Sequence, residues 1–121
     1  MTRTNLAPIK AAITAVGSYL PEEVLSNQDL EQIVDTNDEW IQTRSGIKER
    51  RWVLPGTPNS DLALPACIKA IKDAGISPND IDAIIVGTVS SDYNFPGMAP
   101  IIQRKLGIKK NKFLASYREL K

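Results

Sequence analysis

Residues 81–89 constrain the fold more than any other stretch. Isoleucine, alanine and valine fill this run almost continuously, interrupted by Asp82, Gly87 and Thr88. An apolar run of this length bounded by turn residues reads as a strand covered on both faces, the pattern of a parallel sheet layered between helices. The flanking sequence agrees. Asn59 or Ser60 opens a helix running to Ala74, with Leu64, Ile68 and Ile71 as its apolar stripe and Gly75 as its stop. Pro65 is best tolerated in a first turn, which moves the expected start beyond Ser60. Residues 77–80 read as a turn. Residues 98–106 read as another helix, stopped by Gly107, and residues 112–117 as the start of another strand.

Upstream, Ile13 and Ala15 alternate with Thr14 and Val16, so residues 11–20 read as a largely buried strand ended by Gly17, Ser18 and Pro21. Ser26 or Asn27 caps a helix reaching Val34, with Leu30, Ile33 and Val34 on one face. Residues 48–53 read as an edge strand or loop, and residues 55–59 as a break. Strand, helices, strand, helix and a further strand make an α/β chain.

Composition narrows the function. With 121 residues the chain suits one small domain or a piece of a larger one. A net charge of +1 gives no case for nucleic acid or an anionic membrane surface. No apolar run approaches the roughly 20 residues that cross a bilayer, and no long apolar core follows the N-terminus as in a signal peptide. The single cysteine, Cys67, fits a reducing cytoplasm. There is no histidine, which removes histidine acid–base catalysis and histidine metal ligation from this polypeptide. Gly46, Gly56, Gly75 and Gly107 stand alone at element ends, there is no glycine-rich phosphate loop, and no metal-ligand cluster occurs.

The chemistry concentrates in residues 35–50. Asp38 is the expected cap of a short helix that Gly46 ends in the left-handed region. Trp40 and Arg44 are spaced i, i+4 and share one face. An indole offers a π surface to a purine, and a guanidinium stacks or forks onto phosphate. Thr36 adds a hydroxyl just before the helix. The alternative is a Trp40 packed in the core with Arg44 reaching to solvent. Cys67 has no histidine to activate it and reads as a small apolar residue rather than a nucleophile. Phe95, Pro96, Gly97 and Met98 follow the 81–89 strand, where ligand loops gather in α/β sheets. They read equally as an acyl-pocket wall or a turn. Glu22 with Glu23, and Asp38 with Glu39, are adjacent in sequence and do not face each other on a helix. Lys109, Lys110 and Lys112 could attract an acidic carrier protein or simply be solvated.

Set together, these residues resemble a known family. Gly17 to Pro21, Ser26 and Asn27 with Asp29 and Leu30, then Asp38 to Ile41 with Thr43 to Ile47, Glu49 and Arg50, are similar to the start of β-ketoacyl-acyl-carrier-protein synthase III. The similarity continues through Ala70, Ala74 to Ile76, Asp80 and Ile81, Phe95 and Pro96, and Leu106 to Ile108. The resemblance implies the N-terminal half of a thiolase-like αβαβα sandwich, incomplete in this chain. Residues 1–121 are then expected to be a partial N-terminal domain that stops before the catalytic cysteine, with a tail from about 116 to 121 that departs from the family. The resemblance implies condensation of acyl-CoA with malonyl-acyl-carrier protein in the cytoplasm at the start of fatty-acid synthesis. It implies a homodimer, with acyl-CoA as substrate and no further cofactor. By resemblance, Trp40 stacks on the CoA adenine, Thr36 and Arg44 hold the CoA nucleotide, and Phe95 reaches across the dimer into the partner's acyl pocket. The family's nucleophilic cysteine, histidine and asparagine have no counterpart here, and Cys67 does not match the nucleophile. The chain is therefore expected to be inactive alone, the alternatives being an interaction module that pairs with a full-length synthase or a non-functional truncated product.

Overall fold

The computed structural model describes residues 11–109 and 113–117. In chain order the elements are β1 (Val24–Ser26), α1 (Asn27–Glu31), α2 (Asp38–Ser45), β2 (Glu49–Arg51), α3 (Asn59–Ala74), a 3-10 turn at Pro78–Asp80, β3 (Ala83–Gly87), α4 (Met98–Lys105) and β4 (Phe113–Tyr117). β1 and β2 form an antiparallel ribbon with Val24 opposite Arg51. β3 and β4 run parallel from Ala83 opposite Phe113 to Gly87 opposite Tyr117, joined through α4 in a βαβ unit. α4 packs on β3, β4 and α3. It supplies most of the buried apolar side chains, namely Met98, Ala99, Ile101 and Ile102, joined by Ile108. Lys105 of α4 forms an ion pair with Asp61 of α3. Exposed as it is, that pair contributes at most about 1 kcal/mol.

The α/β expectation holds, with local corrections. Residues 11–20 form no strand and stay open, with Ile13 89% and Val16 76% exposed. A strand needs a hydrogen-bonding neighbour, and β3 and β4 pair with each other instead. β3 is not covered on both faces. Ile84 and Val86 are half-buried on one side, while Ile85 on the other is 73% exposed. The helix after Ser26 ends at Glu31, and the N–H groups of Ile33 and Val34 turn back to the Leu30 carbonyl. Both side chains remain exposed, so the apolar face expected there is not buried. α3 starts at Asn59, before the position Pro65 suggested, and carries the proline inside. An acceptor from outside the helix holds that early start: Asp92 Oδ1 takes the Ser60 N–H at 3.0 Å. Lys110, Lys112 and residues 118–121 lie outside the described residues, and with them most of the basic cluster and the end of the tail expected to depart from the family.

Ser26 caps α1 reciprocally with Asp29. Its Oγ accepts the Asp29 N–H at 3.1 Å, and its own N–H and hydroxyl donate to Asp29 Oδ2 at 2.9 and 2.6 Å. The hydroxyl bond above all, then the backbone bond, holds the Asp29 carboxyl below its ordinary value of 3.8. A carboxyl depressed by folding adds stability above its unfolded value, and that stability is lost as pH falls through the folded one. Ser26→Ala is therefore expected to destabilise the chain at neutral pH and to cost progressively less below about pH 4. Urea midpoints of the two proteins as a function of pH check this. A penalty independent of pH would contradict it.

Candidate functional site

α2 carries the site. Asn37, not Asp38, caps it: Asn37 Oδ1 accepts the Trp40 N–H at 2.8 Å. The Asp38 carboxylate is unavailable for capping because Asn27 Nδ2 donates to its Oδ1 at 2.7 Å and Gln42 Nε2 to its Oδ2 at 2.6 Å. Asp38 and Glu39 in the first turn and Arg44 in the last suit the helix dipole. Gly46 ends the helix at φ 71°, in the left-handed region expected of it, and its N–H reaches the Gln42 carbonyl at 2.8 Å. Ile41 is the one buried side chain of α2.

Trp40 does not pack in a core. It is 58% exposed, and the Arg44 guanidinium carbon stands 5.9 Å from the centre of its ring. That is a cation–π distance. Trp40 and Arg44 line an open pocket of about 360 Å³ with Asn37, Glu39 and Thr43. The site pairs a flat π face with a cation, the two groups a nucleotide's base and phosphate call for. Thr36 sits half-buried just ahead of the cap, outside that lining.

Phe95 is on a different part of the molecule, in the loop between β3 and α4, 88% exposed and joined to Pro96 by a cis peptide. Beside it, Tyr93, Pro96, Pro100, Ile101 and Arg104 line a hollow of about 370 Å³. The start of this loop is fixed to α3, since Asn59 Nδ2 donates to Thr88 Oγ1 at 3.1 Å and to the Ser90 carbonyl at 3.0 Å. Cys67 lies half-buried in α3, and burial pushes its thiol up from 9.0, so it is protonated at neutral pH. Among the described residues no group of three or more histidine, cysteine, aspartate or glutamate side chains could hold a metal ion. No helix among them is long and apolar enough to cross a membrane.

Sequence reasoning missed Asn27, which is fully buried and holds α2 from below. Its signals are its place next to a capping serine, where it reads as a second candidate cap, and its place among the residues that carry the resemblance.

No family model matches the chain. It is 56% identical over 99 residues to β-ketoacyl-[acyl-carrier-protein] synthase III of Caldanaerobacter subterraneus, covering 82% of this chain and 30% of that enzyme. Against the enzyme of the same name from Chlamydia caviae it is 55% identical over 100 residues, covering 83% and 30%. The crystal structure of 3-oxoacyl-[acyl-carrier-protein] synthase III from Aquifex aeolicus superposes with a TM-score of 0.82 at 41% identity, covering 88% of this chain and 34% of that one. The fold is thus part of a thiolase-like one. Within that class, the chain is a homologue of β-ketoacyl-[acyl-carrier-protein] synthase III and spans about a third of the length of the curated relatives it matches.

Proposed function

We propose that this chain supplies the CoA-nucleotide contact of a synthase III-type acyltransferase of fatty-acid biosynthesis. The carrying observation is the exposed Trp40 indole with the Arg44 guanidinium 5.9 Å from its centre, beside an open pocket. In this reading Trp40 stacks on the adenine, Arg44 meets the nucleotide phosphates and the Thr36 hydroxyl contributes from the helix entry. Phe95, exposed on its loop, would contact the second subunit of a homodimer at the acyl pocket. The reaction joins acyl-CoA to malonyl-acyl-carrier protein in the cytoplasm and uses no further cofactor. This chain alone does not carry it out: it has no histidine, and its one thiol is half-buried and protonated. Thiol attack on a thioester needs an activated thiolate, and the condensation needs donors for the developing enolate.

A second reading, an interaction module that pairs with a full-length synthase, draws on the uncovered face of β3 at Ile85. An exposed strand face of this kind favours a protein partner.

Titration of the purified chain with CoA, followed calorimetrically, tests the first reading. Saturable binding is expected. Trp40→Ala should weaken it about tenfold, since stacking of a base on an aromatic ring is worth roughly 1–3 kcal/mol. No saturation by the unaltered chain, or undiminished binding by Trp40→Ala, would sink it.

A further inference from the structure

We propose that Asn27 is the positioning residue of the Trp40–Arg44 grip, acting through Asp38 on the opposite side of α2. The inference rests on the nucleotide reading of the site. α2 is only eight residues long and buries a single side chain, Ile41. Apolar packing therefore does little to fix its rotation about its own axis, and polar contacts must set it.

Asn27 makes those contacts. It is the first residue of α1 and 0% exposed. Its Nδ2 donates to Asp38 Oδ1 at 2.7 Å, in the first turn of α2, and to the Ile47 carbonyl at 2.8 Å, just past the helix end. Its Oδ1 accepts Arg50 Nη2 at 3.1 Å from β2, and its backbone N–H donates to the Lys48 carbonyl at 3.3 Å. One amide thus holds both ends of α2 and the strand that follows. All the hydrogen-bonding capacity that burial demands of it is aimed at the segment bearing the site.

Helix geometry carries the effect to the grip. Residues two apart on an α-helix point about 200° apart. Asp38 therefore faces away from Trp40, and Gln42 away from Arg44. Asp38 Oδ2 also holds Gln42 Nε2 at 2.6 Å, so the tethered side of α2 runs its length. The tether turns Trp40 and Arg44 outward to the pocket while touching neither.

The test uses Asn27→Asp, which sets two carboxylates against each other and leaves the Ile47 carbonyl without its donor. Asn27→Ser is the milder variant, removing the reach to Asp38 without adding charge. The paired variant Asn27→Asp with Asp38→Asn reverses the polarity of the bond: the amide at position 38 donates to the carboxylate at position 27, which still accepts from Arg50. Circular dichroism fixes a temperature at which each variant is folded. At that temperature either single variant is expected to weaken CoA binding about tenfold, the loss that follows when a positioned contact is loosened. The paired variant should recover most of it. A second readout needs no CoA: Arg44 side-chain protons beside the Trp40 ring carry a ring-current shift, which the single variants should reduce and the paired variant restore. Ile102→Val, a core change in α4, which packs on α3, β3 and β4, should lower Tm without altering either readout. If affinity only tracks Tm across all variants, or the ring-current shift is the same in every one, Asn27 is structural and the proposal is overturned. If the unaltered chain binds no CoA, the nucleotide reading fails, and the ring-current arm alone decides whether Asn27 sets the geometry of the pair.

Discussion

Met98→Ala is expected to remove about 2–5 kcal/mol of folding stability. Met98 is 1% exposed and is the largest of the fully buried side chains. It opens α4, the helix that packs on β3, β4 and α3 together. Ile101 and Ile102, three and four residues on, share its face and are 7% and 3% exposed. Truncation to alanine leaves a void where those surfaces meet, and the neighbouring Ala99 is too small to fill it. A domain of this size has only about 5–15 kcal/mol in all, so the variant should lose a large fraction of it and melt many degrees lower. Ile85→Thr is the comparison. Ile85 is a similarly apolar residue on β3, 73% exposed, and its replacement keeps the β-branch. It should change stability little. Urea unfolding of both variants measures the contrast. A loss below about 1 kcal/mol for Met98→Ala would mean that α4 is not the centre of the core.

The elements that could be read in advance are those whose signal is local. α3 and α4 show helical periodicity and stop at Gly75 and Gly107. β3 is an apolar run between turns. β1 escaped because a three-residue strand carries no period, while β2 lies inside the 48–53 stretch that reads as an edge strand or loop; Val24–Ser26 meets Glu49–Arg51 through backbone bonds that side chains do not announce. Residues 11–20 misled for the converse reason: they alternate as a strand does but have no described partner strand. The site divides the same way. Trp40 and Arg44 were legible because i, i+4 spacing is a property of one helix. The choice of Asn37 over Asp38 as cap was not, because Asp38 is claimed by Asn27, eleven residues upstream. Phe95 and Trp40 sit on separate parts of the molecule, one in the β3–α4 loop and the other on α2. Only the resemblance joins them in one reaction.

Gly17→Ala is expected to be nearly as damaging as the loss of Met98, for the opposite physical reason. Gly17 lies in the open 11–20 segment, yet a Cβ placed on it would fall 2.2 Å from the Ala66 carbonyl oxygen and 2.7 Å from the Ala70 nitrogen. It would also lie 3.0 Å from the Ala70 Cβ. Ala66 and Ala70 are one turn apart, so they form a small-residue strip on α3 against which the glycine backbone rests. The first two collisions are with helix backbone, which cannot rotate aside as a side chain can. Either the segment lifts from α3 or α3 moves in its packing against α4. Overpacking of this kind costs about 1–3 kcal/mol, and more when backbone must shift. The expected result is a lowered Tm together with faster amide exchange in residues 11–20. Because the closest contacts are with backbone, adding Ala70→Gly to the variant should restore little of the lost stability. Full recovery by that second change would show that the clash is between side chains, and that the segment docks on α3 less closely than these distances require.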